Sequence, residues 1–381
     1  MKKLSILFIC ATFFQLSAQE YYFPERNTQW QETAAKEAGI NPNILNEVIA
    51  FAKANEYSGS RDLRIAILEG FKREPFHEIL GPTKKRGGPA GMILKNGKLV
   101  AQWGDTKRVD MTFSVTKSFL STVAGLAIDK KLIATVDDTV GRYVWDGTFN
   151  GQHNSQITWR HLLQQNSAWQ GILWGGKDWA DRPPREGGLD DWQYASPKTP
   201  GTVMEYNDVR VNVLSYSLLQ VWRKPLPQVL KEELMDKIGA STTWRWHGYK
   251  DAWAEVDGIK MKSVTGGGHS GAGIFISAED MARFGLLFLN DGVWNNERLL
   301  SSQWIQDAIE PSTPNVNYGF MWWLNKQGPR HWKGVGEDVY YAAGFGGNFI
   351  IIDRTHDLVV VTRWLEPSKV GEFMEKLSKA L

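Results

Sequence analysis

Ser114 and Lys117 stand in the tetrad Ser114-Val115-Thr116-Lys117, at i and i+3. On a helix that spacing puts both side chains on one face, about one turn apart. A serine hydroxyl is a weak nucleophile until a neighbouring base takes its proton. Lysine serves as that base only where its pKa falls, and burial against apolar side chains such as Phe119 and Leu120 is expected to favour the neutral amine. A serine at a helix start also leaves its own amide free to donate toward a reacting group. The tetrad alone is a weak signal, since a chain with this much Ser and Lys contains about one by chance. An ordinary helix start, with Ser114 as the cap and Lys117 in solvent, shows the same pattern.

Other residue types narrow the chemistry. Cys10 is the only cysteine, so a mature chain without it has no disulfide, thiolate nucleophile or Cys-based metal site. The seven histidines fall in no spacing that signals metal binding, and there is no Gly-x-Ser-x-Gly elbow. His269, in Gly266-Gly267-Gly268-His269-Ser270-Gly271, is the best candidate for a cleft histidine. The alternative is a loop histidine with a local hydrogen bond. That stretch lacks the Lys-Ser/Thr of a phosphate cradle. Neither a metal nor a cofactor is expected. Eighteen tryptophans leave two readings, core packing or the lining of a cleft for sugars or flat acyl groups, with Trp169, Trp174, Trp179 and Trp192 as candidates.

Such residues need elements to hold them. Asn41-Pro42 opens a helix as N-cap and first-turn proline. Ala90–Lys95, Asn96-Gly97 and Lys98–Trp103 read as two strands joined by a tight hairpin. A helix is predicted over residues 115–130, with Phe119, Leu120, Val123, Leu126 and Ala127 inward. Further helical patterns cover residues 159–165, Asp208–Trp222 and 227–238, and Ser277-Ala278-Glu279-Asp280 opens another as a capping box. Residues 348–353 and 358–364 are apolar runs about a polar turn, and a last helix covers 367–380. Strands at both ends with helices between predict an α/β fold. Residues 20–105 and 255–381 would form a discontinuous α/β lobe and residues 106–254 a helical lobe, with the active site between them. Residues 171–200, rich in Gly, Pro, Trp and charge, read as a long loop over the cleft.

The N-terminus predicts export. Lys2 and Lys3, an apolar run over residues 4–14 and small residues at Ser17-Ala18-Gln19 have the form of a signal peptide over residues 1–19, hence a periplasmic or secreted protein. The apolar run is shorter than the about 20 residues a membrane span takes. The chain has 44 basic residues, two of them in that leader, against 42 acidic ones. This balance gives no electrostatic footprint for nucleic acid.

The segment Thr112-Phe113-Ser114-Val115-Thr116-Lys117-Ser118-Phe119 resembles the nucleophile helix of the serine β-lactamase/penicillin-binding superfamily, in particular its class C β-lactamase-like branch. The hairpin over 90–103, the lysine-to-acid segment over 130–138 and Ile157-Thr158-Trp159-Arg160-His161-Leu162-Leu163 are similar to the family's flanking elements. Ser167-Ala168 sits where a Ser-Gly pair is usual. The likeness runs from about Ile65 to the C-terminus. It implies a β-lactamase/transpeptidase-like fold, an antiparallel sheet flanked by helices with an inserted, mainly helical lobe. It also implies that Tyr206, in Met204-Glu205-Tyr206-Asn207-Asp208, is the tyrosine of the family's Tyr-x-Asn motif. A phenol beside a neutral lysine can share the serine proton and hand it to the leaving group. Asp208 stands in the asparagine position and, ionised, can only accept. It is also placed to cap the following helix, so a substrate contact and a cap both stay open.

The family's third motif, Lys-Thr-Gly, is replaced by Ala342-Ala343-Gly344. The resemblance still implies an oxyanion hole from the amides of Ser114 and Phe345, because main-chain donors do not depend on side-chain identity. Gly344 is a candidate substrate contact, since glycine lets a substrate backbone approach. Lys198-Thr199-Pro200-Gly201 and Lys262-Ser263-Val264-Thr265-Gly266 have the wrong spacing for this motif. Losing the lysine and hydroxyl removes a grip on a substrate carboxylate. The chain thus looks more like family VIII-type esterases and the 6-aminohexanoate-oligomer hydrolases. The implied activity is that of a serine hydrolase forming an acyl-enzyme on Ser114, with a small-molecule or oligomeric carboxylic ester or linear amide as substrate. The alternatives are β-lactamase or D,D-peptidase activity, or a non-catalytic ligand-binding or sensor protein of the same fold.

Overall fold

The computed structural model describes residues 21–328 and 331–381; the leader expected over residues 1–19 lies outside them. Apolar runs from both ends of the chain meet in one sheet. The strands are β1 (Ala90–Lys95), β2 (Lys98–Trp103), β6 (Trp323–Leu324), β7 (Tyr340–Gly344), β8 (Asn348–Asp353) and β9 (Leu358–Arg363), in the order β6-β7-β8-β9-β1-β2. All neighbours are antiparallel, so N- and C-terminal segments close side by side through the β1–β9 pair. The β1–β2 hairpin turns at Asn96 and Gly97, both at positive φ (52° and 75°), as a tight two-residue turn requires.

Strands β1, β7, β8 and β9 do not alternate apolar with polar residues, because both faces are covered. Met92, Leu94, Ile350, Ile352, Val359 and Val361 join one core with helices α3 (Thr116–Asp129) and α6 (Ala278–Leu289). Ile93, Phe349, Ile351, Leu358 and Val360 face the other way, against α1 (Pro42–Ala54) and α7 (Val370–Ser378). Each such side chain contributes roughly 1.5–3 kcal/mol on full burial. The caps follow the sequence: Asn41 accepts from the amides of Asn43 and Ile44, and Ser277 from that of Asp280.

Over the sheet's edge lies a helical region with α2 (Leu63–Gly70) nearby, α4 (Trp159–Leu163) and α5 (Asp208–Trp222), and a small sheet of β3 (Asp110–Met111), β5 (Gly273–Ile276) and β4 (Arg245–His247). Residues 171–200 are more ordered than a plain loop. They contain a short hairpin (Ile172–Leu173 with Gly176–Lys177), a turn at Asp178–Ala180 and a helical turn at Leu189–Gln193. The helix expected over 227–238 is Leu226–Leu230 followed by a wider turn, Lys231–Met235. Among the described residues, no helix is long and apolar enough to cross a membrane.

Candidate active site

Ser114 sits in a tight turn, Phe113–Val115, that runs directly into α3. Phe113 takes a φ of 51°, a conformation that costs a bulky residue about 1–3 kcal/mol and persists only where its surroundings impose it. They do. Thr112 is held against β5 by its amide and hydroxyl, both donating to the Ile274 carbonyl at 2.9 and 3.0 Å. The Phe113 ring is gripped by Phe345, with ring centroids 5.0 Å apart. The sharp turn leaves Ser114 half-buried and aims it at Lys117.

The Lys117 ammonium donates to Ser114 Oγ at 2.9 Å and to Asp208 Oδ1 at 2.6 Å. Only 1% of the Lys117 residue surface is exposed, which rules out the solvated-lysine reading. Its setting differs from the apolar one expected. Phe119 turns away to stack on Phe284 at 3.8 Å, and the amine meets a carboxylate, a hydroxyl and the face of Tyr206, whose ring centre is 4.8 Å away. Gly267 closes over this group. A Cβ there would stand 2.4 Å from Asp208 Oδ1 and 2.8 Å from Lys117 Nζ.

Tyr206 is fixed from both sides by Gln165, which accepts from Glu205 N through its carbonyl (2.8 Å) and from Asn207 N through its side chain (3.1 Å). The ring stacks on Trp323 at 5.7 Å. Asp208 is not the cap of α5. Asn207 caps it by accepting from Arg210 N, which frees the Asp208 carboxylate to face Lys117. Burial opposes ionisation of Asp208, but the charges of Lys117 and Arg182 outweigh it and hold the carboxyl well below the usual range.

Arg182, Asp181 and Glu74 complete the cluster, and sequence reasoning had singled out none of them. Arg182 Nη1 lies 2.6 Å from Asp208 Oδ2 and 2.7 Å from Asp181 Oδ1. Asp181 Oδ2 in turn accepts from the Asp208 and Val209 amides at the start of α5, where a helix favours negative charge. Arg182 Nη2 is 3.1 Å from His269 Nδ1, and His269 Nε2 is 2.6 Å from Glu74 Oε2. Arginine only donates, so Nδ1 accepts from Arg182 and Nε2–H donates to Glu74. The local hydrogen bond expected of a loop histidine is thus replaced by one to a residue 195 positions away. The only advance signal for Arg182 was charge inside a Gly- and Pro-rich loop.

Glu74, His77 and His269, and likewise Asp181, Asp208 and His269, bring donor atoms within 4.8 Å of one another, a metal ion's reach. The Arg182 guanidinium already supplies positive charge between them, and His269 Nε2 carries a proton. The set therefore reads as an ion-pair network and fits a cation poorly.

The remaining candidates divide. Trp169 is core: it is 3% exposed and donates to the Thr148 carbonyl at 2.9 Å. Trp174 lines a cavity of about 350 Å³ with His77, Tyr249, His269 and Asp208, which neither Ser114 nor Lys117 lines. A second cavity, of about 380 Å³, opens beside Tyr206 and Arg182 and has Trp179 and Trp192 on its wall. Neither Ser114 nor Lys117 lines it either; it reaches the site through Tyr206, which lies over the Lys117 amine. Gly344 is needed for a different approach than expected, since a Cβ there would lie 2.0 Å from the Thr112 carbonyl. It lets β7 close on the nucleophile turn and brings Phe345 alongside it.

A family model described as Beta-lactamase matches residues 76–363. No curated protein matches the sequence. Among solved structures, a Bacillus anthracis protein provisionally named a 6-aminohexanoate-dimer hydrolase is similar at 16% identity and a TM-score of 0.59, over 92% of this chain and 86% of that one. A penicillin-binding protein homologue from Caulobacter crescentus is similar at 14% identity and a TM-score of 0.57, over 85% and 99%. A family VIII carboxylesterase is similar at 17% identity and a TM-score of 0.56, over 78% and 93%. The TM-scores, over most of each chain, show a shared β-lactamase/transpeptidase-like fold. With the family model spanning most of its length, the chain belongs to the beta-lactamase family.

Proposed function

We propose that the protein is a serine hydrolase that forms an acyl-enzyme on Ser114 and acts on a carboxylic ester or a linear amide. The observation that carries this reading is the 2.9 Å contact from a buried Lys117 amine to Ser114 Oγ. Once neutral, Lys117 accepts the Ser114 proton as Oγ attacks the substrate carbonyl carbon. The amides of Ser114 and Phe345 hold the resulting oxyanion. The proton then passes, by Lys117 and Tyr206, to the departing alcohol or amine as the carbonyl re-forms. Water, deprotonated by the same pair, attacks the acyl-enzyme and releases the acid, restoring Ser114. Esters and linear amides are favoured over β-lactams because Ala342-Ala343 supplies no cation for a substrate carboxylate. The names of the carboxylesterase and the 6-aminohexanoate-dimer hydrolase point to the same two substrate classes.

Fluorophosphonate labelling followed by peptide mass spectrometry tests the nucleophile. Ser114 is expected to carry the adduct, and Ser114→Ala to lose turnover of p-nitrophenyl esters by at least about a thousandfold. Full activity in Ser114→Ala would sink the reading. The same Ala342-Ala343 pair favours a second reading, a ligand-binding protein of this fold, which predicts no turnover across esters, amides and β-lactams. Export, motivated by residues 1–19, is part of the proposal, and N-terminal sequencing of the mature protein checks it.

A further inference from the structure

The Ser114–Lys117 pair poses an electrostatic problem. A buried carboxylate 2.6 Å from an amine stabilises the ammonium form, and an ammonium cannot take a proton from Ser114. We propose that Arg182 is a positioning residue that relieves this hold: by neutralising Asp208 from its other oxygen, it lets Lys117 give up its proton and serve as base. The inference rests on the hydrolase reading for its purpose, but its electrostatic core stands on the ion pairs themselves.

The geometry is specific. Lys117 takes Asp208 Oδ1 and Arg182 takes Oδ2, each at 2.6 Å. A guanidinium stays charged, so of the two cations on this carboxylate only Lys117 can change state. Lys117 is otherwise faced by Ser114 and the Tyr206 ring. Behind Asp208 stand Arg182, Asp181, His269, Glu74 and Tyr249. Asp181 is offset by the amides at the start of α5, and Glu74 receives the His269 Nε2–H. Tyr249 is held as a neutral phenol, chiefly by burial and then by Asp208. Arg182 is thus the full positive charge that opposes Asp208. It is kept in place by Asp181 and by the faces of Phe71 and Tyr206, whose ring centres lie 5.3 and 5.2 Å from its guanidinium carbon.

Titrating Lys117 directly tests this. In protein carrying ¹³C-labelled lysine, its side-chain NMR signal is assigned by its loss in Lys117→Met, and its midpoint is followed against pH. In Arg182→Gln the midpoint is expected to rise by at least about one pH unit, and Arg182→Lys should restore most of that shift. An unchanged or lowered midpoint in folded Arg182→Gln overturns the proposal. Should that variant not fold, Arg182→Met, which keeps Asp208 and an apolar stem between Phe71 and Tyr206 without the charge, reads the same effect. Its midpoint should again lie at least about one unit above that of the wild type, and an equal or lower midpoint overturns the proposal. The acidic limb of kcat/KM for a p-nitrophenyl ester should move with the NMR midpoint. If no ester is turned over, the hydrolase reading fails while the NMR result still decides the role of Arg182.

Discussion

The two walls around Ser114 are built from opposite chemistry. The helical wall, with the loops that close on it, carries Lys117, Asp208, Arg182, His269 and Glu74, joined in one network of ion pairs and hydrogen bonds. The strand wall ends in Ala342, Ala343, Gly344 and Phe345, without a charged side chain. What the strand wall brings to the site is main chain, held close by the absent side chain of Gly344 and the packing of Phe345 on Phe113. The difference teaches where selectivity lies. Proton chemistry is concentrated on one side, while the side that would grip a substrate carboxylate is apolar.

Breaking the helical wall should have the largest effect. Asp208→Ala leaves Lys117 and Arg182 without their shared anion. Removing one partner of a buried pair costs about 3–5 kcal/mol, so chemical denaturation should show a loss of that size, well above that of an exposed pair such as Lys379–Glu375. A change near zero would mean that the network holds nothing together. Gly267→Ala comes next, because its Cβ would push on both Asp208 and Lys117. Overpacking of this kind costs about 1–3 kcal/mol, and ester turnover should fall with it. Gly141→Ala is the control: its nearest neighbour is 3.5 Å away, and both quantities should stay put.

Acid should attack the same wall. Asp208 is depressed in the folded state despite its burial, because Lys117 and Arg182 favour its ionised form. A depressed carboxyl lends stability that is complete above its unfolded pKa of about 4 and is lost as pH falls through the lower folded value. Melting curves from neutral pH downward should therefore show a steeper loss below about pH 4 in the wild type than in Asp208→Asn. Parallel curves would remove Asp208 from the acid transition. The smallest effect belongs to the strand wall. With no cation there, converting a substrate's free carboxylate to its methyl ester should change kcat/KM by less than about threefold. A large preference for the free acid would reveal a cationic grip elsewhere.

The parts of this molecule that follow from neighbours in the chain were legible early. Asn96-Gly97 demanded a hairpin, Asn41-Pro42 started a helix, and the i, i+3 spacing of Ser114 and Lys117 became a 2.9 Å contact. The apolar runs at 348–353 and 358–364 became paired strands. Tyr206 and Phe345 were reached only through likeness to a family, since nothing local in either segment marks it for chemistry.

Tertiary structure decided the charges. Asp208 meets Lys117 across 91 residues, Arg182 meets His269 across 87, and His269 meets Glu74 across 195. It also decided that Trp169 belongs to the core and that Gly344 makes room for Thr112. Turns, caps and one-turn spacings depend on torsions within a few residues, and the sequence alone determined them. Whether a carboxylate caps its own helix or neutralises a distant lysine depends on which segments the core brings together and how much water they exclude.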